Sequence, residues 1–150
     1  MSSARLKKIP GVEHAPYIGA LLRMTHQKVM ARLLQALADR GLVDINQAYF
    51  GLFLYPPIDG MRPIDLAKRL GVSKQALNHL LGQLEKLGYL QRRHEQPNGH
   101  AAVYLTERGW LVVESNVATM RRLEADWQQQ LGKERFTSLK AALKELSGVS

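Results

Sequence analysis

The chain has no cysteine among its 150 residues. Disulfides, thiolate metal ligands, thiol nucleophiles and thiol redox switches are thereby excluded. It also lacks a long apolar run, and nothing approaches the roughly 20 residues that a helical membrane span needs. The opening stretch MSSARLKKIPGVEH is basic but carries no apolar signal-peptide core. The expectation is a cytoplasmic protein with no membrane partner. No phosphate-binding glycine loop, dinucleotide glycine pattern or Gly-x-Ser-x-Gly elbow is present. The five histidines form no metal signature, because HEQPNGH, from His94 to His100, crosses a turn instead of lying on a helix. No enzyme, cofactor or metal site is expected. Acidic residues are the scarcer charge: 13 Asp and Glu stand against 21 Lys and Arg, for a net charge of +8. Such an excess favours a polyanionic partner.

The rest is ordinary globular composition, 45% hydrophobic, and the length fits a single domain spanning residues 1–150. Residues 1–15 read as a loose arm broken by Pro10, Gly11 and Pro16. A helix is expected from Tyr17 to Asp39, with Ile18, Leu22, Val29, Leu33 and Leu37 on one stripe and Gly41 closing it. DINQAYFGLFLYPP reads as a short helix in which Asp44 and Gln47 make a capping box. A further helix begins at Pro63 and breaks at Gly71, and Ser73 caps the next one. YLQRR and AAVYLT read as strands joined by a turn at QPNG. Thr106 caps a long helix to about Gln130, with an apolar stripe at Trp110, Val113, Val117, Met120, Trp127 and Leu131. Glu124 interrupts that stripe. A last helix carries Phe136, Leu139, Leu143 and Leu146.

The predicted architecture is mainly α with a small β-hairpin. Its centre, about residues 44–108, has the order of a winged helix-turn-helix. Helices at about 16–40 and 107–147 flank it. In LGVSKQALNHLLGQLEKLG one face carries leucines and the other Lys74, Gln75, Asn78 and His79. In such a lobe the second helix can enter a DNA major groove, where Asn and Gln pair with adenine and Lys donates to guanine. Ser73 and the free N–H groups at that helix start suit a phosphate. Between Arg62 and Arg108 lie eight Lys and Arg, among them Lys68, against four acids, a net +4. Arg92 and Arg93 enter the hairpin, with His94 beside them and His100 beyond its tip. The structural alternatives are a solvated helix face and a charged edge strand that resists aggregation.

MRPIDLAKRLGVSKQALNHLLGQLEKLGYLQRR followed by VYLTERG resembles the MarR family of bacterial transcriptional regulators. The resemblance implies a homodimer that binds double-stranded DNA, with the first helix and the last two as dimerisation region, and two-fold symmetry then predicts an inverted-repeat operator. It assigns Ser73, Lys74, Gln75, Asn78 and His79 to the recognition helix, and Arg92, Arg93, His94 and His100 to the wing. Family wings commonly carry Asp-x-Arg before the Leu-Thr. Here the segment is Asn98-Gly99-His100, one residue shorter, without that acid or arginine. The resemblance further implies a repressor released by a small, anionic aromatic ligand, for which Arg23, His26, Tyr49 and Phe53 are the candidate pocket residues. The alternative is a winged-helix protein-interaction module that does not bind DNA.

Overall fold

The computed structural model describes residues 2–54, 56–95 and 99–149. The chain divides into two compact units, residues 1–32 and 33–150. The first holds a short helix α1 (Ser2–Leu6), a 3-10 turn (Val12–His14) and the start of α2 (Ile18–Asp39). The expected loose arm is therefore partly ordered. Gly11 takes a left-handed φ of 87°, and the Tyr17 hydroxyl donates to its carbonyl at 2.5 Å, which ties the arm back to the root of α2.

In the second unit α2 ends with Leu33 and Leu37 fully buried, and Gly41 supplies the positive φ that turns the chain. The segment after it is a 3-10 turn, Gln47–Leu52. Asp44 does not cap it. Asn46 does, accepting from the Ala48 amide at 2.9 Å, while Asp44 is drawn to Tyr89 and Arg108.

Helix α3 (Pro63–Leu70) starts on its proline, and α4 (Lys74–Lys86) follows a tight turn at Gly71. The Ser73 hydroxyl caps α4 by accepting from the Ala76 amide at 3.1 Å. Leu66, Leu77, Leu81 and Leu84 are 0% exposed. Each such burial contributes roughly 1.5–3 kcal/mol of transfer free energy. Strands β1 (Leu90–Glu95) and β2 (His100–Leu105) pair antiparallel, Arg92 opposite Val103 and His94 opposite Ala101. The turn expected at QPNG falls on residues 96–98, outside the described residues; Gly99 beside it has a φ of 69°. Met61 makes a single bridge to Val103 on the outer side of β2.

Helix α5 (Glu107–Leu131) is capped by Thr106, and α6 (Lys133–Ser147) packs along it. The stripe expected on α5 is not the buried one. Val112, Ser115, Asn116, Thr119 and Leu123 are buried, whereas Trp110 is 39% and Val117 52% exposed. Gly109 constrains this rotation, because a Cβ there would stand 2.1 Å from the Tyr89 carbonyl oxygen. Only a glycine lets α5 approach the strand so closely. Glu124 pairs with Lys140 of α6 at 2.9 Å, which accounts for an acid among apolar neighbours.

Candidate nucleic-acid interface

Three helical lines run along α4. Leu77, Leu81 and Leu84 face the core. Lys74, Asn78, Gly82 and Glu85, spaced by four, four and three, make a second line. Gln75 and His79 lie on a third, with Gln83 and Lys86 following. Lys74, Gln75, Asn78 and His79 are all exposed, and the first turn holds no acid. The helix dipole there is left unopposed for an anion.

Lys74 and Asn78 line a groove of about 420 Å³ together with Arg62, Arg92 and His100. Five of the expected residues, from α3's N-cap, α4 and both strands, thus meet in one place. Gln75 and His79 are exposed on the neighbouring line of α4 and do not line the groove. Lys68 is exposed on α3 outside the groove, and Ser73 is engaged as the cap.

The two wing arginines point to opposite faces of the hairpin, as neighbours on a strand must. The Arg92 guanidinium donates to Glu85 Oε1 at 3.0 Å, and its backbone amide donates to Glu85 Oε2, also at 3.0 Å. The amide hydrogen bond, then the guanidinium's hydrogen bond and charge, together outweigh burial and hold the Glu85 carboxyl below the usual carboxylate range. Arg93 instead lies over the Tyr104 ring, 4.8 Å from its centroid. His94 shares the Arg92 side by alternation and is exposed without lining the groove. Glu85 and Tyr104 were not among the expected site residues. Glu85 was legible as the fourth member of the Lys74 line; the Tyr104 stacking depends on strand register and left no local signal.

A polar clamp secures the base of the hairpin. Tyr89 is fully buried, and its hydroxyl donates to the Asp44 carboxylate. Arg108 donates to Asp44 at 2.9 Å and lies over the Tyr89 ring at 4.6 Å. Burial would raise the Asp44 carboxyl, but the Tyr89 hydrogen bond and the Arg108 hydrogen bond and charge overcome it and lower the pKa. Burial and the Asp44 carboxylate raise that of Tyr89.

A second cavity, about 490 Å³, opens between α5 and the segment after the 3-10 turn. Phe53, Leu54, Val113 and Met120 make it apolar, and Asn116, Arg121 and Glu124 add polar groups. Among the described residues, Ser115 Oγ, Asn116 Oδ1 and Thr119 Oγ1 are buried without a hydrogen-bond partner. Of the four expected pocket residues, Phe53 lines this cavity. Tyr49 is not among the lining residues; it donates to Gln83 on α4 at 2.9 Å. Arg23 and His26 are exposed on the part of α2 that belongs to the first unit. The missed residues, Asn116 and Arg121, sit one residue from Val117 and Met120 of the expected stripe, a shift that only the helix rotation reveals.

Among the described residues, no cluster of three His, Asp or Glu could hold a metal ion, and no helix is long and apolar enough to cross a membrane.

Helix, tight turn, helix and hairpin, flanked by further helices, define a winged helix-turn-helix protein. The MarR family model matches residues 56–100. Beyond that segment the likeness is one of fold, and it extends over most of the chain in solved regulators that carry the same lobe. It is 27% identical to the oxidized form of MarR from E. coli, over 87% of this chain and 93% of that one, with a TM-score of 0.66. It is 26% identical to S. aureus MepR in a DNA complex, over 89% and 97%, with a TM-score of 0.65. CouR from Rhodococcus jostii, bound to p-coumaroyl-CoA, shares the fold at 16% identity, over 91% and 95%, with a TM-score of 0.65. No curated protein matches the chain by sequence.

Proposed function

We propose that the protein is a sequence-specific DNA-binding transcriptional repressor that acts as a homodimer. The observation that carries this reading is the groove in which Arg62, Lys74, Asn78, Arg92 and His100 meet beside the exposed Gln75 and His79. Asn78 and Gln75 present the side chains that pair bidentately with adenine, and the cations flank them where phosphates would run. The MepR–DNA complex supports the same use of this fold. The lobe at about residues 44–108 reads DNA, and the helices at about 16–40 and 107–147 join two chains. Leu139 and Leu143 of α6, each 38% exposed, and Leu146, 82% exposed, support that assembly. Two-fold symmetry then calls for an inverted-repeat operator with half-sites about 10 base pairs, one helical turn, apart.

The cavity beneath α5 is the favoured ligand site. Phe53, Val113 and Met120 suit a flat apolar body, and Arg121 suits an acidic group. This keeps the expected anionic aromatic class and moves its cation from Arg23 and His26 to Arg121. CouR's bound p-coumaroyl-CoA is a precedent for an acidic aromatic ligand on this fold.

The test is binding of a duplex enriched from a random-sequence pool by the purified protein, followed by fluorescence anisotropy with and without a panel of aromatic acids. Enrichment of an inverted repeat, bound far more tightly than a scrambled duplex, is the expected result. No enrichment would overturn the reading and leave the protein-interaction module in its place. Release of the duplex by an aromatic acid, lost in Arg121→Ala, is the expected ligand result.

A further inference from the structure

On β1 the amide of Arg92 faces away from β2. Its opposite residue, Val103, turns its own amide and carbonyl to Met61 and Gly60, at 2.8 and 2.7 Å, so Arg92 and Val103 exchange no hydrogen bond. An edge amide of this kind is normally left to water. Here Glu85 of α4 takes it, and with its other oxygen takes the guanidinium of the same residue. One carboxylate thus fixes both the backbone and the side-chain end of a single wing residue. The guanidinium lies across Gly82: a Cβ there would be 3.9 Å from Arg92 Nη2. It stands on the same α4 line as Lys74 and Asn78 and lines the same groove.

We propose that Glu85 is a positioning residue for DNA binding, holding Arg92 across Gly82 so that hairpin and recognition helix meet the duplex as one rigid surface. The inference rests on the DNA-binding reading above. Glu85 carries negative charge beside a surface meant for phosphates, so charge alone makes it a hindrance to binding any DNA. Its benefit lies in geometry. Arginine has five N–H donors, and Glu85 occupies the Nη2 end, leaving others for a phosphate or base edge at a set position. A long cationic side chain without that anchor samples many rotamers and loses freedom on binding. The expected signature is therefore a split: specific affinity falls when Glu85 is removed, and nonspecific affinity does not.

The experiment compares wild type, Glu85→Gln, Arg92→Ala and the double variant. Each is titrated against the duplex enriched by the wild-type protein and against a scrambled duplex of equal length. Glu85→Gln is expected to weaken binding to the enriched duplex about tenfold, the scale of one lost directed contact. Binding to the scrambled duplex should stay equal or tighten. In the Arg92→Ala background the same change should cause no further loss, because its effect runs through Arg92. Glu85→Asp, which keeps the charge and shortens the arm, should lower the specificity ratio in the same direction and serves if the glutamine variant does not fold. An unchanged ratio in the folded variants, a parallel loss on both duplexes, or a full loss persisting without Arg92 would overturn the inference. Failure of the wild type to enrich any duplex would overturn the underlying DNA-binding reading instead.

Discussion

Helices α4 and α6 both carry leucines at helical spacing, but they differ in what covers them. Leu77, Leu81 and Leu84 of α4 are fully buried within their own chain. Leu139 and Leu143 of α6 are each 38% exposed, and no residue of α6 is buried. The apolar face of α4 is satisfied within the chain. The C-terminal helix keeps an apolar side for something else, and a second copy of the chain is the proposed cover. The comparison teaches that similar spacing guarantees a helix but does not say whether its apolar face is satisfied inside the chain or by a partner.

A large effect should come from the point where α5 meets the hairpin. Gly109→Ala places a Cβ against the Tyr89 carbonyl and must displace α5 from the hairpin. A loss of about 3 kcal/mol, the upper range of overpacking, is expected in urea denaturation. A loss under about 0.5 kcal/mol, the scale of an ordinary surface change, would mean that α5 relaxes freely at its start.

The contrast itself is broken or sharpened by truncating one leucine on each side. Leu81→Ala should cost about 2–5 kcal/mol at every protein concentration. Leu143→Ala should matter only where chains associate, so its effect should shrink on dilution. Leu143→Asp should yield a monomer by light scattering, together with weaker DNA binding. A concentration-independent loss in Leu143→Ala would mean that α6 is covered within one chain.

Smaller effects belong to the DNA surface. Asn78→Ala or Gln75→Ala should cost about 1–3 kcal/mol on the enriched duplex and relax base preference. Arg93→Ala, from the opposite face of the wing, should cost less than Arg92→Ala. Equal losses for the two arginines would mean that DNA contacts both faces of the hairpin.

The smallest expected effect is the pH dependence of the clamp. Asp44 has a lowered pKa in the folded chain. Its stabilisation is therefore fully present above the unfolded carboxylate value, about 3.9. It fades as pH falls through the lower folded value. Asp44→Asn should reduce stability at neutral pH and make the acid limb of a stability–pH curve shallower. An acid limb parallel to wild type would assign acid unfolding to other carboxylates, Glu85 among them.

Much of the fold was legible because its signals are local. Pro63 starts α3, Gly71 ends it, Ser73 and Thr106 cap α4 and α5, and Gly41 takes the left-handed turn that its position suggested. Each depends on residues within one helical turn. The capping of the 3-10 turn was misread because Asp44 is a good cap by type, yet a buried tyrosine and an arginine 64 residues away compete for it. On α5 the apolar stripe was real, but a line carrying Ser115, Asn116 and Thr119 is buried in its place. Side-chain type ranks faces by hydrophobicity, but the rotation of α5 also has to bring Gly109 to a close approach with the Tyr89 carbonyl that no side chain would fit.

The candidate site divides in the same way. The sequence by itself determined the helix-turn-helix, the hairpin, the basic surplus and the polar face of α4, because periodicity and caps act over short distances. Only the tertiary structure decided that Arg62, Lys74, Asn78, Arg92 and His100 share a groove, and that Arg92 and Arg93 part to opposite faces. It also decided that Glu85 grips the first of these arginines and Tyr104 the second. These are contacts between side chains brought together by strand register and helix packing. Their strength depends on separations of 3–5 Å that no local pattern encodes.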